Sequence, residues 1–257
     1  MVVLITQVNS LAQTYPQLMN QLRDCGYSQE EMERVREVFE LALRFSDGIY
    51  RASGVPLVQH LIRTASILIV EKQSLKIVIV GLLHAAFVLS RFESSLRSTG
   101  TRRQRLDLEL IGGEEIIRTL QDYEAIGWYS EDELNEHLHQ IHTYGDSLRS
   151  LLVVRLANEL EDRLDHASDY DASDTEAERS VRRLEKYVAL AEQLDLDFLV
   201  ENFKLILDQS RELSVPDSLT RPYFRGYEMP EKRMWRKSGI RILAKSILSW
   251  IKKLSPI

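Results

Sequence analysis

Two histidines stand inside apolar stretches of the chain, His60 in Leu57-Val-Gln-His-Leu-Ile and His84 in Val80-Gly-Leu-Leu-His-Ala-Ala. An imidazole can ligate a divalent metal through either ring nitrogen, or exchange a proton near neutral pH. A single histidine in an apolar helix is more often a hydrogen-bonded core residue. Further on, Arg155, Asn158, Asp162, Asp165 and His166 recur at spacings that place them close to one helix face. Asp162 and His166, four residues apart, have the spacing to hold one metal jointly; the plainer reading is a solvated acidic helix end. Arg51 and Ser53 lie in the polar loop that precedes His60.

Other tempting groups have the wrong geometry. His137, His139 and His142 are two and five residues apart, so three imidazoles cannot share one face, and surface positions are expected. Asp169, Asp171 and Asp174 lack the glycine and distal glutamate of an EF-hand loop, which speaks against calcium. No Walker A loop, Gly-rich dinucleotide loop, Gly-x-Ser-x-Gly elbow or His-Glu-x-x-His is present. The single Cys25 rules out an intrachain disulfide and suits a reducing cytoplasm.

Helices must position these side chains. Eleven Gly and six Pro among 257 residues are few, which favours helix over a turn-rich β fold. Ser28-Gln-Glu-Glu31 is a capping box opening an amphipathic helix with Met32, Val35, Val38, Phe39, Ala42 and Leu43 at helical spacing. Shorter helices are expected over Val3–Gln13 and Pro16–Asp24 before it. Gly54 and Pro56 make a loop, after which helix runs from Leu57 to Val70. Leu75 to Leu89 is apolar nearly all round and reads as a central core helix, being long for a buried strand. Helices are further predicted over Arg102–Ile111, Glu114–Tyr123, Ser130–Ile141, Ser147–His166, Glu176–Gln193 and Phe198–Leu207, with Gly112-Gly113 breaking the first pair. The expected organisation is an all-α helical domain over 1–212 and a Pro-containing linker over 213–231. A basic amphipathic helix over 232–257 completes the chain.

The net charge of −6 is unevenly spread: the segment from Glu231 onward carries +7 and the rest −13. The acidic body speaks against general nucleic-acid binding. Ile240, Leu243, Ala244, Ile247, Leu248, Ile251 and Leu254 form one stripe of the tail, with lysines and arginines largely outside it. Such a helix docks on its own acidic body, on a partner protein or on an anionic membrane surface. The Met1-Val-Val-Leu-Ile start has no basic region and too short an apolar run for a signal or a span. A cytoplasmic, or peripherally membrane-associated, protein is expected.

Three segments together resemble the HD superfamily, specifically the (p)ppGpp hydrolase domain of RelA/SpoT-type proteins. They are Tyr50-Arg-Ala-Ser-Gly-Val-Pro-Leu-Val-Gln-His60, Gly81-Leu-Leu-His84-Ala85 and Leu151-Leu-Val-Val-Arg-Leu-Ala-Asn158-Glu-Leu-Glu-Asp162. The resemblance spans roughly residues 33–207 and implies an HD-like helical bundle. It also implies a site in which two His and two Asp hold a divalent metal that activates water. The chain keeps His60 and His84 but has Ala85 and Asn158 where the resemblance calls for aspartates. The family's catalytic acidic pair falls on Val88 and Leu89. Each carboxylate near a divalent ion contributes several kcal/mol even at an effective dielectric of about 20, so losing two weakens metal binding by orders of magnitude. Arg51 and Ser53 match positions near the guanine base, with Ala52 in place of a basic residue. The chain is also similar to a smaller group of HD-like proteins with a His-Ala/Ser-aromatic motif, here His84-Ala-Ala-Phe87.

The leading expectation is therefore a degenerate HD-like domain that binds a phosphorylated small molecule, such as a nucleotide, without the usual hydrolysis. Arg51, Ser53, His60, His84, Asn158 and Asp162 would line its site. Two alternatives stay open. One is an active phosphohydrolase with a rearranged site of His60, His84, Asp162 and His166 holding a weakly bound Mn, Fe or Zn. The other is a scaffold protein acting through its basic tail.

Overall fold

The computed structural model describes residues 11–51, 53–86, 98–164 and 174–212, without the side chains of 98–110, 112 and 174–177. The linker, the basic tail, His166 and most of the expected first helix lie outside the described residues. Leu11 to Gln13, which that helix would include, are not helical. The protein is all-α. In chain order the helices are α1 (Tyr15–Asp24), α2 (Gln29–Ser46), α3 (Leu57–Val70), α4 (Leu75–Leu83) and α5 (Ser98–Ala125). They continue as α6 (Glu131–Gln140), a short 3-10 turn (Ile141–Thr143), α7 (Asp146–Arg163), α8 (Asp174–Gln193) and α9 (Asp197–Glu212).

Local chemistry accounts for several boundaries. Ser28 Oγ accepts from Glu31 N–H at 3.2 Å, and Glu31 Oε2 accepts from Ser28 N–H at 2.8 Å, closing the expected capping box. Gly113 has φ +78°, so α5 is two helical runs joined at a kink, where the Gly112-Gly113 pair predicts a break. The predicted core helix over Leu75–Leu89 is shorter: α4 ends at Leu83, and His84 is its C-cap. There His84 Nδ1 meets the Gly81 carbonyl at 2.7 Å, giving that buried last-turn acceptor a side-chain partner.

One apolar cluster extends from Leu11 to Leu207. α3 packs on α1, α2, α4 and α7, and α4 also meets α2, α5 and α7. These two helices are buried almost all round, which their continuous apolar sequences require. Gly81 permits their close approach, because a Cβ there would run into Leu68 Cδ1. α8 and α9 form a hairpin, closed by Asp195 at φ +57°, whose α8 and α9 faces cover α7. Among the described residues no helix is long and apolar enough to cross a membrane.

Candidate functional site

Four elements bring the site together: the loop before α3, the first turns of α3, the end of α4 and the last turns of α7. The loop is pinned at its base, where Leu57 N–H donates to Ile49 C=O at 2.9 Å. Within it Arg51 N–H donates to Val55 C=O and Gly54 N–H to Arg51 C=O, each at 2.9 Å, around Gly54 at φ +89°. This tight turn fixes the Arg51 backbone and sends its side chain toward α7.

His60 and His84 meet. Their Nε2 atoms are 3.1 Å apart, with ring centroids at 5.1 Å, and the residues are 0% and 6% exposed. Because the His84 Nδ1–H donates to Gly81 C=O, the neutral ring offers a lone pair at Nε2, which accepts from His60 Nε2–H. On the other side of the His60 ring, Nδ1 lies against Glu161 Oε2 and Arg51 Nη1. The Arg51 guanidinium also pairs with Asp162 Oδ1, and with Glu161 Oε2 at 3.4 Å. Arg63, one turn beyond His60, reaches Glu161 Oε1 at 3.4 Å.

Two carboxylates in the last turn of a helix face its partial negative end, an unfavourable place unless cations attend them. Arg51 and Arg63 do so here. Burial pushes the Glu161 carboxyl up, but His60, Arg51 and Arg63 together hold it below its ordinary value. Asp162 is the open side of the cluster, with 27% of its side chain exposed. Behind His84, Tyr123 makes an edge contact at 5.8 Å between ring centroids, and the Arg155 guanidinium lies 3.9 Å from the Tyr123 ring centre.

The chemistry available here is that of a cation site. His60, Glu161 and Asp162 each offer a ligand atom, and all three atoms lie within 4.8 Å of one another. The set differs from the expected His60, His84, Asp162 and His166. His84 turns its free nitrogen to His60 rather than to the carboxylates, Glu161 takes its place, and His166 falls outside the described residues. Asn158 is half-buried one turn before Asp162. Ser53 is exposed at the turn that directs Arg51 inward, outside the buried cluster. His137 was also expected on the surface but is buried, its Nε2–H donating to Gly127 C=O at 2.7 Å while Nδ1 accepts from the Tyr144 hydroxyl at 3.1 Å. His139 and His142 are exposed as expected.

Sequence reasoning missed Glu161, Arg63 and Tyr123. Arg63 had a signal, since it lies three residues after His60 and so on the same face of α3. Glu161 had none beyond its neighbour Asp162.

Burial drives the His84 imidazole from 6.5 down to about 3, and the adjacent His60 ring adds to the fall. Between those values the unfolded chain binds a proton that the folded chain refuses. The stability tied to neutral His84 is therefore complete above pH 6.5 and is lost as pH falls, by up to about 1.4 kcal/mol per unit. Urea unfolding at pH 7.5 and 5.0 should differ by roughly 2 kcal/mol from this source. His84→Gln should flatten that dependence; an unchanged slope in the variant would contradict it.

The sequence matches no protein-family model and no curated protein sequence.

Proposed function

We propose that the chain is a degenerate HD-like helical domain that binds a phosphorylated small molecule without metal-dependent hydrolysis. The observation that carries this reading is the position of Arg51. Its guanidinium lies among His60 Nδ1, Glu161 and Asp162, the place a divalent ion would take in a set of that kind. A fixed organic cation offsets the carboxylates but supplies no open coordination position from which to activate water. Arg51 and Arg63 stand on the carboxylates Glu161 and Asp162, and the Arg155 guanidinium lies over the nearby Tyr123 ring, so that cations are at hand for an anionic guest at the open side. The three-segment resemblance to (p)ppGpp hydrolase domains, with Ala85 and Asn158 at two ligand positions, points the same way.

A second reading has its own support. His60, Glu161 and Asp162 are a compact ligand set, and a metal that displaced Arg51 would make the site a phosphohydrolase centre, with Mn, Fe or Zn as the ion. Calorimetric titration of the full chain with pyrophosphate and with GDP, in the presence of EDTA, separates the two. The proposal expects saturable binding, at least tenfold weaker in His84→Ala, and no phosphate release when Mn is added. Binding that requires metal, accompanied by phosphate release, would establish the second reading. No binding under either condition, with partner behaviour unchanged in His84→Ala, would leave the scaffold alternative.

A further inference from the structure

Two buried donors beside His84 have no hydrogen-bond acceptor among the described residues: the Tyr123 hydroxyl and Arg155 Nε. Tyr123 is 3% exposed and Arg155 6%. They are neighbours, the guanidinium lying 3.9 Å from the ring centre while Arg155 Nη2 donates to Tyr123 C=O at 2.7 Å. That second bond ties the Arg155 side chain to the Tyr123 backbone without using either free donor.

Buried hydroxyl and N–H groups rarely go unpaired, because each costs about 1–3 kcal/mol when its hydrogen bond is missing. Other buried hydroxyls are satisfied, Thr64 Oγ1 donating to His60 C=O at 3.0 Å and Ser46 Oγ to Ala42 C=O at 2.8 Å, whereas the Nε atoms of Arg63 and Arg163 are unpaired as that of Arg155 is, so the Tyr123 hydroxyl is the distinctive donor. The unpaired groups at Tyr123 and Arg155 are both donors, and the Tyr123 ring, with Arg155 over it, makes an edge contact with His84 of the histidine pair. Burial raises the Tyr123 phenol above its ordinary value, so it is a protonated donor at neutral pH.

We infer that Tyr123 Oη and Arg155 Nε form an oxyanion subsite, in which the phenol donates to a phosphoryl oxygen of the bound molecule and the guanidinium balances its charge. The inference rests on the reading above that the site takes a phosphorylated guest, and it assigns Tyr123 a binding role that the sequence pattern does not announce. Tyr123→Phe removes one oxygen and keeps the ring under Arg155.

The test measures unfolding and pyrophosphate affinity of the full-length wild type and Tyr123→Phe, each in EDTA. The subsite expects Tyr123→Phe to unfold at the same denaturant concentration as wild type or a higher one, since no bond is lost, while its affinity for pyrophosphate falls about tenfold. Arg155→Lys, which keeps the charge and removes Nε–H, should weaken binding in the same direction. Equal affinity in wild type and Tyr123→Phe would overturn the subsite alone. A Tyr123→Phe protein that is clearly less stable without ligand would show that the hydroxyl already has a partner, and would overturn it too. A wild type that binds no pyrophosphate would overturn the subsite together with the reading it rests on.

Discussion

Glu161→Ala should lower the stability of the fold by about 3–5 kcal/mol, because it leaves buried cations without their counter-charge. Glu161 has 4% of its side chain exposed and stands between His60, Arg51 and Arg63, each of the two arginines being 13% exposed. Neither arginine can turn fully into water to recover its hydration. The loss is therefore a desolvation effect rather than the modest attraction of one ion pair. For a chain of this size it corresponds to a fall in Tm of roughly ten degrees. A surface pair supplies the control. Arg36 and Glu40, about half exposed on one face of α2, are 3.0 Å apart, and Glu40→Ala should cost less than about 1 kcal/mol. Thermal unfolding of the two variants side by side measures the contrast; similar, small losses in both would mean that Glu161 is not the buried centre of the cluster.

The sequence made the helical architecture legible wherever the signals are local. Ser28 with Glu31, Pro56 before α3 and the Gly112-Gly113 break are all readable within a few residues, and each marks a real boundary. It also paired His60 with His84, through the register of the three segments that resemble the HD superfamily rather than through any local signal. What it did not show depends on contacts between distant segments. Glu161, in the last turn of α7, has the pattern of a solvated acidic residue; its burial comes from Arg51 and Arg63, some hundred residues earlier. His137 likewise reads as a surface residue on a polar helix, and is covered by the Trp128 and Tyr144 rings while the Gly127 carbonyl and the Tyr144 hydroxyl satisfy its nitrogens. The end of α4 at Leu83 is also non-local in effect: an apolar run cannot reveal that His84 will bind back to Gly81 and turn toward α3.

Arg51→Met should have the second large effect, and of a different kind. It removes the positive charge from the point where His60 Nδ1, Glu161 and Asp162 converge, leaving Arg63 as the cation on Glu161 alone. Two carboxylates with an imidazole and no guanidinium between them are a hard-to-borderline ligand set suited to Mn or Zn. The variant should be less stable than wild type in EDTA and should recover stability when a divalent ion is added. At a hundredfold excess over its dissociation constant the ion restores about 2.7 kcal/mol, enough to move Tm by several degrees.

In the proposed reading the guanidinium of Arg51 does a metal ion's electrostatic work, and metal titration of wild type and Arg51→Met proteins, followed by elemental analysis after gel filtration, tests this directly. The expected result is one equivalent of Mn or Zn retained by the variant and far less than one by wild type. A full equivalent held by wild type, or none by either protein, would contradict it.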